Sequence, residues 1–263
     1  HKVQLRLGST ALQAKNVPLK DGKQGVDVTY IKEGKLHRVR AKQSIMAGYN
    51  MMIPYMVPEM PEPQKEALRQ NVKAPLVYTK VVIKNWQAFV KLGVHEIYSP
   101  AAPYSRVKLD YPVSMGGYEH PKSPDQPMCL HMVYVPTLPG SGLSAREQSR
   151  KGRAMILGMP FEQHEQMIRE QLQGMLGGAG FNHEQDILAI TVNRWSHGYS
   201  YITNTLFDDE EQCDKWIELG RQQVGNITIA NSDSDWSPYA HSAIDQAWRA
   251  VNELVAMHKG GAK

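Results

Sequence analysis

The stretch Ile227-Thr228-Ile229-Ala230-Asn231-Ser232-Asp233, followed by a helix that begins near Ala240, decides the fold class. Its first three residues predict a short core strand, which ends in small residues and one carboxylate. The apolar residues of the helix recur at i, i+3 and i+4 and form one face: Ala243, Ile244, Ala247, Trp248, Val251, Leu254 and Val255. A strand, a carboxylate and a helix N-terminus in this order can bind a polyol hydroxyl and the electronegative edge of a ring. The same order is equally typical of a capped helix after a strand.

The first fifth of the chain has the pattern of β-structure. Residues 2–42 show the alternation and turns of a small antiparallel β-meander, whose first strand would hold Val3, Leu5 and Leu7 before a kink. Residues 44–48 then predict a short buried strand that ends at a glycine.

The remaining segments alternate between strands and helices, which predicts a mixed α/β fold. Strands are predicted at 76–83, 130–135 and 187–192, and helices at 64–70, 145–157 and 161–176. Four prolines between 54 and 63 exclude a long helix there. Residues 99–128 are rich in Pro, Gly and Ser and predict a long loop.

Composition excludes several classes of function. Among 263 residues, Lys+Arg exceeds Asp+Glu by only 30 to 26, a surplus too small and too dispersed to predict nucleic-acid binding. No apolar run approaches the roughly 20 residues that a membrane span needs. The chain starts abruptly at His1 without a signal peptide, so we expect it to be a piece of a longer protein.

The short motifs favour no metal site, hydrolase triad or nucleotide-binding turn. Ten histidines include no HExxH, the two cysteines have no CxxC spacing, and no GxSxG is present. Residues 140–145 match GxGxxA, but Pro136 and Pro139 interrupt the approach from the preceding strand. An ordinary glycine loop is the better interpretation of that segment.

An aromatic segment, Arg194-Trp195-Ser196-His197-Gly198-Tyr199-Ser200-Tyr201, follows the predicted strand at 187–192. One interpretation is a corner of the core. The other is an aromatic wall of a pocket, at which Gly198 lets the chain turn close to a ligand. Aromatic faces suit a flat cofactor or an amine cation.

Together, these segments resemble the C-terminal part of FAD-dependent amine oxidases, and the nearer likeness is to bacterial spermidine dehydrogenases. In that family a late strand ends in a small-small-acidic motif, which Asn231-Ser232-Asp233 matches, and a helix start matched by residues 242–247 follows. The stretches that resemble the spermidine dehydrogenases are 49–55, 75–79, 85–89, 191–195 and 242–247, so the likeness spans nearly the whole chain.

The resemblance implies a fold, a division of the chain and a set of site residues. The chain would be the C-terminal half of a two-domain flavoprotein, with residues 1–48 and 189–263 in the FAD domain and 49–188 in the substrate domain. Cofactor contacts would fall on Ala11, Ala47, Gly48, Ser232, Asp233, Ser242, Ala243 and Ile244. The N–H groups at 242–244 would be orphan donors at the helix start. The aromatic residues expected to face the flavin or the amine are Trp195 and Tyr199, with Tyr201, Trp236 and Tyr239 as weaker candidates.

The implied activity is oxidation of a polyamine C–N bond, with hydride transfer to FAD. The resemblance also implies haem b, a periplasmic location and an N-terminal half that carries the GxGxxG turn. No haem ligand and no electron acceptor are assigned.

The sequence departs from the family pattern at three places. Ser242 and Ala247 replace the two glycines of the helix motif, the GxGxxG turn is missing, and Tyr78 lies near the register of the usual lysine, with Lys80 two residues on. Two alternatives stay open: a related flavoprotein for another substrate, such as an amino acid or an apolar molecule, and a flavin-free scaffold of the same fold.

Overall fold

A computed structural model describes residues 3–260, and the side chains up to Met257. Its strands and α-helices, in chain order, are β1 (Ser9–Pro18), β2 (Gln24–Lys32), β3 (Lys35–Ala41), β4 (Ser44–Met46), α1 (Ile53–Met56), α2 (Glu62–Arg69), β5 (Ala74–Ile83), α3 (Gln87–Leu92), β6 (Glu96–Tyr98), β7 (Tyr104–Leu109), β8 (Met128–Tyr134), α4 (Ala145–Gly158), α5 (Phe161–Leu176), α6 (His183–Asp186), β9 (Ile187–Tyr199), α7 (Glu210–Gly220), β10 (Ile227–Ile229) and α8 (Ala240–Gly260). Short 3₁₀ turns lie at Asn50–Met52, Gly177–Ala179 and Ser232–Asp235. The fold is mixed α/β, as the alternation of segments predicts.

The chain forms two compact units. Unit 1 combines the segment that ends at Val72 with the segment that begins at Ser200, and unit 2 is Lys73–Tyr199. The boundaries of these compact units reflect packing, because α2 packs on α7 within unit 1 and β9 pairs with β5 in unit 2. The division at 48/49 and 188/189, which the resemblance implies, stays a prediction. The roles of the two units as FAD domain and substrate domain stay predictions.

Unit 1 contains the predicted meander and a second, smaller sheet. Strands β1, β2 and β3 pair antiparallel in that order, and β4 pairs parallel with β10. Side chains from both sheets share one apolar core, which includes Ala14, Val26, Met46, Ile227 and Ile229. This core fixes β4 and β10 side by side.

Unit 2 is a five-stranded antiparallel sheet in the order β6-β7-β8-β5-β9. Helix α5 covers one face, where Ile168, Leu172 and Leu176 are fully buried against the inward side chains of β5 and β8. Helix α4 begins at a capping box in which Ser144 and Glu147 satisfy each other's backbone N–H groups. On the second face, Tyr78, Lys80 and Val82 of β5 lie opposite Val133, His131 and Cys129 of β8, so this face mixes polar and apolar side chains.

Helix α8 presents its apolar stripe outward. Ser242, Gln246, Ala250 and Leu254, four residues apart, form the buried side. The exposed side carries Ile244, Trp248, Val251 and Val255, and Ile244 and Trp248 are 69% and 72% exposed. The helix therefore packs through small and polar groups: Ser242 Oγ donates to Ser237 Oγ at 2.7 Å, and the Arg249 guanidinium donates to the carbonyl of Ile229.

Three predictions of local structure were wrong. Residues 3–6 form no strand, and Val3, Leu5 and Leu7 are exposed, because the meander begins only at Ser9. The segment 99–128 is not one loop, because β7 lies inside it and pairs with both β6 and β8. Gly198 does not turn the chain, since β9 runs on to Tyr199.

Within residues 3–260, no helix combines the length and the hydropathy that crossing a bilayer requires.

Candidate functional site

The clearest candidate site in unit 1 is the end of the parallel pair β4–β10. Both strands run in the same direction, so Ala47 and Gly48 after β4 lie beside the residues after β10. The carbonyl of Gly48 accepts a hydrogen bond from the Asn231 side chain, which ties the two strand ends together. Ligands of parallel sheets bind outside the carboxyl ends of neighbouring strands. The structure therefore brings together four of the residues that the resemblance implies: Ala47, Gly48, Ser232 and Asp233.

Asn231 has a backbone conformation that normally requires glycine. Its φ of 90° and ψ of 172° lie in a region that L side chains rarely adopt. The Oδ1 atom accepts the N–H of Asp233 at 2.6 Å, and Nδ2 donates to Gly48. These two hydrogen bonds hold the strained residue and direct the backbone into the 3₁₀ turn at Ser232–Asp235.

Asp233 is 1% exposed and bonded within unit 1. Its Oδ2 accepts the N–H of Asn50 at 3.1 Å, and its carbonyl accepts a hydrogen bond from Asn71 Nδ2 at 3.3 Å. Asn71 also donates to Ser200 Oγ at 3.0 Å. The Asp233 carboxylate thus stabilises the start of the Asn50–Met52 turn by accepting its first N–H. A cofactor contact through Asp233 or Ser232 stays a prediction.

The start of α8 differs from the expected donor site. The helix begins at Ala240, so residues 242–244 lie at its third to fifth positions. The N–H of Ala243 donates to the carbonyl of Tyr239 at 3.1 Å, and the Ser242 side chain is buried against Ser237. The expectation of orphan donors was therefore wrong for Ala243, and Ile244 lies on the outward face of the helix. Their role in binding a cofactor stays a prediction.

Ala11 lies in a shallow groove on the open face of the meander. The groove is lined by Gln4, Arg6, Ser9, Ala11, Val28, Tyr30 and Val39. Arg6 Nη1 donates to the Tyr30 hydroxyl at 2.8 Å, and a register shift between Ala11 and Gln13 interrupts the ladder there. A flat apolar wall beside a guanidinium is suited to a planar heterocycle.

The aromatic candidates of unit 1 belong to two groups. Tyr201 and Trp236 are buried and contact each other edge to face, with centroids 5.5 Å apart, and Trp216 stacks on Trp236. The Tyr201 hydroxyl donates to Asp208 at 2.7 Å, which gives this side chain a structural partner. Tyr239 is exposed and stacks on His241.

The aromatic candidates of unit 2 lie on β9 and are open to solvent. Trp195 and Tyr199 are 54% and 44% exposed, and the hydroxyl of Tyr199 is hydrogen-bonded to that of Tyr78 on β5. Burial raises the pKa of Tyr78, with a contribution from this hydrogen bond. Gly198 is needed for close packing, since a Cβ there would lie 2.6 Å from Leu76 Cδ2. Its close neighbour is thus a strand of the same sheet, whereas the pocket-wall interpretation of the sequence placed a ligand there.

Two charged or titratable side chains lie next to Tyr78 on the same face of the unit 2 sheet. Lys80 Nζ lies 2.5 Å from Asp110 Oδ2, and His131 is its cross-strand neighbour. Burial, together with the positive charge of Lys80, lowers the pKa of His131. The lysine that the sequence places two residues after Tyr78 is therefore engaged in an ion pair.

Within residues 3–260, no three His, Cys, Asp or Glu side chains are grouped so that they could hold a metal ion.

Sequence reasoning missed the asparagines of the unit 1 site. Asn231 and Asn71 bond to the turn at Ser232–Asp235 through their side chains, and Asn50 bonds to Asp233 through its backbone N–H. Only Asn231 had a signal in the sequence, because it occupies the first small position of the motif. The other two are placed by contacts between residues far apart in the chain.

The sequence matches no family model and no curated protein. Comparison with solved structures instead shows the class of fold. The chain has a mixed α/β fold similar to that of about half of an amine oxidase. The particular solved structures include wild-type putrescine oxidase bound to putrescine, with a TM-score of 0.60 at 12% identity over 94% of this chain and 48% of that one. A triple mutant of putrescine oxidase has a TM-score of 0.63 at 13% identity, covering 95% of this chain and 48% of that one. Cyclohexylamine oxidase from Brevibacterium oxydans has 0.59 at 10%, covering 95% and 48%. The chain thus spans about half the length of these proteins.

Proposed function

We propose that this chain is part of an FAD-dependent enzyme that oxidises the C–N bond of an amine, with a spermidine-like polyamine as the substrate. The observation that carries the proposal is the likeness of fold over 94–95% of the chain to amine oxidases, one of them bound to the diamine putrescine. Bound FAD would accept the hydride, and this chain would supply surfaces for the cofactor and for the amine.

The residues present fit part of the cofactor. The groove around Ala11 offers Val28, Val39 and the Tyr30 ring as a surface for an adenine, and the exposed Ala47 and the open space at Gly48 leave room for a ligand beside β4. Ser232 adjoins them at the end of β10. A pyrophosphate-binding turn is not offered by residues 140–145, where Gly140 and Gly142 form an ordinary loop with positive φ.

A second half with a dinucleotide-binding turn therefore belongs to the proposal. Two surfaces of unit 1 would receive it. Within residues 3–260 the parallel pair β4–β10 has no third strand, so the outer edges of the pair keep unpaired backbone groups to which a further strand could add. The outward stripe of Ile244, Trp248, Val251 and Val255 on α8 adds an apolar surface that monomeric proteins rarely leave open.

Absorption spectroscopy tests the cofactor. We expect residues 1–263 alone to bind FAD weakly, because the pyrophosphate has no binding turn there, and the protein that includes the second half to show flavin bands. The same spectrum tests for haem b, and cell fractionation tests the periplasmic location. Stoichiometric, tight FAD binding by residues 1–263 alone would contradict the need for a second half. A colourless full protein would instead favour the flavin-free scaffold.

Steady-state oxidation by the flavin-loaded protein tests the substrate. Spermidine, putrescine, cyclohexylamine and an amino acid should be compared, and the polyamine should have the highest kcat/KM. In the same enzyme, Tyr199→Ala should reduce turnover more than it reduces stability, because Tyr199 lies on an open surface of β9. Preference for the amino acid would replace the substrate class while keeping the reaction.

The surface for the second half can be tested by one substitution and a control. Trp248→Gln should weaken association of the two halves, because the indole is 72% exposed and would be buried on assembly. Phe207→Gln, which changes another exposed aromatic residue of unit 1, should leave association unchanged. Equal effects of the two substitutions would place the contact elsewhere.

A further inference from the structure

Unit 2 contains a pocket of about 480 Å³ at the edge of its sheet. Strands β6 and β7 and the segment that precedes β8 form its walls, and Trp86 and Met128 contribute apolar surface. The segment is fixed on both sides of the pocket. Trp86 Nε1 donates to the carbonyl of Ser123 at 3.0 Å, and the N–H of His120 donates to Ser114 Oγ at 3.0 Å. These two hydrogen bonds hold the wall of the pocket, and the size of the pocket is that of small-molecule sites.

The two carboxylates in the pocket wall are already paired. Glu96 is hydrogen-bonded to Arg106 Nε, and the guanidinium holds the pKa of Glu96 below its usual range. Asp110 lies 2.5 Å from Lys80 Nζ and accepts the N–H of Tyr111 at 3.0 Å. Each acid thus has another cation as its close partner, and Lys108, which faces Glu96 across the β6–β7 ladder, contributes only more weakly to lowering the pKa of Glu96.

Lys108 in the same wall has no such partner. The residue is only 4% exposed, and its Nζ lies 3.1 Å from the centroid of the Tyr111 ring. No carboxylate of the described residues lies within 4.0 Å of it. Burial of an ammonium costs free energy unless an anion or several acceptors compensate it. An aromatic face is a weak substitute for such an anion.

Two further groups of the lining complete the pattern. The Nδ1 atom of His120 is buried and has no hydrogen-bond partner among the described residues. Lys122 has only a 4.0 Å ion pair with Glu119, and both side chains are more than four-fifths exposed, so this pair contributes little. The pocket therefore has surplus positive charge and an unused polar atom, beside an apolar surface.

We propose that this pocket binds the oxyanion of a small molecule, a carboxylate or a phosphoryl group, through Lys108 and His120. Lys122 at the surface adds long-range attraction, and the apolar surface of Trp86 and Met128 receives the adjoining part of the ligand. The lining residues all belong to unit 2, and none of them is among the residues implied for the flavin.

Calorimetry on the full chain tests the proposal with two probes, inorganic phosphate and benzoate, against sodium chloride at matched ionic strength. At least one probe should bind above the chloride control and shift the methyl resonance of Met128 in a ¹³C-methyl-methionine spectrum. The stronger probe identifies the group. Lys108→Met should weaken binding by at least about tenfold, because it removes the charge and keeps the apolar stem. Lys151→Met, on an exposed face of α4, is the matched control and should leave binding unchanged.

A second variant separates the loss of the positive charge at Lys108 from a loss of folding. Lys108→Arg keeps a cation and should retain binding, so it decides the case if Lys108→Met does not fold. Failure of both probes to bind above chloride would overturn the proposal. Binding by Lys108→Met as tight as that of the unchanged protein would also overturn it.

Discussion

Replacing Asn231 separates backbone strain from hydrogen bonding at the end of β10. Its φ of 90° and ψ of 172° cost a non-glycine residue about 1–3 kcal/mol. Two side-chain hydrogen bonds, to the Asp233 N–H and to the Gly48 carbonyl, offset this by roughly 0.5–1.5 kcal/mol each. Asn231→Gly loses the bonds but relieves the strain, so its free energy of unfolding should change by less than about 1 kcal/mol. Asn231→Ala loses the bonds and keeps the strain, and should be destabilised by about 1–3 kcal/mol.

The comparison of the two variants carries the test, because neither has the side-chain bonds. At an ordinary helical position alanine is more stable than glycine by about 0.5–1 kcal/mol. At 231 the order should be reversed by about 1–2 kcal/mol. Asn252, exposed on α8, is the control position, where alanine should be the more stable. Urea unfolding followed by tryptophan fluorescence, to which Trp216 and Trp236 of the same unit contribute, measures both pairs. Alanine more stable than glycine at 231 would refute the assigned strain.

Three further outcomes are expected. Gly198→Ala should destabilise the chain by about 1–3 kcal/mol in urea unfolding, because its Cβ would lie within 3 Å of β5. The control Gly174→Ala, which has open space around it on α5, should stabilise the chain by about 0.5–1 kcal/mol. A similar loss of stability in both variants would exclude packing as the cause. Asp233→Ala should lower the free energy of unfolding by about 1–3 kcal/mol, because the N–H of Asn50 loses its acceptor. In the flavin-loaded protein, full flavin content in that variant would show that Asp233 is structural only. Burial lowers the pKa of His164 below its usual 6.5, so near that pH the unfolded chain binds more protons than the folded chain. The free energy of unfolding should therefore fall as the pH drops below about 6.5. His164→Gln should make this pH dependence less steep between about pH 5 and 7, and an unchanged dependence would assign it to other groups.

Local pattern predicted much of the fold. The meander was confirmed from Ser9 to Ala41 and β5 was confirmed as a core strand, because alternation and β-branched residues reflect which side chains face a core. Strand β7 was missed because the prolines and glycines on both sides of Tyr104–Leu109 are typical of a loop. These six residues nevertheless pair with β6 on one edge and with β8 on the other. Periodicity found the face of α8 but could not show which side is covered.

The site was harder to predict because its geometry is not local. Ala47, Gly48 and Asp233 could be named from motifs, yet the bond between Gly48 and Asn231 depends on β4 pairing with β10. The positive φ of Asn231 has no signature in composition. Lys108 looks like any strand lysine in the sequence, and only the packing of Tyr111 over it shows that its charge is buried.

The division of unit 1 around unit 2 has a consequence for synthesis on the ribosome. The ends of the inserted unit meet in the pair Ala74 and Tyr199, and Asn71 bonds to Ser200 in the surrounding unit. Unit 2 has all its strands once residue 199 has been made. Strand β4 must wait about 180 residues for β10, a sequence separation that slows folding. Until then the core side chains of β4 and of the meander lack the packing of Ile227 and Ile229, so the first segment of a growing chain exposes apolar surface longer than unit 2 does.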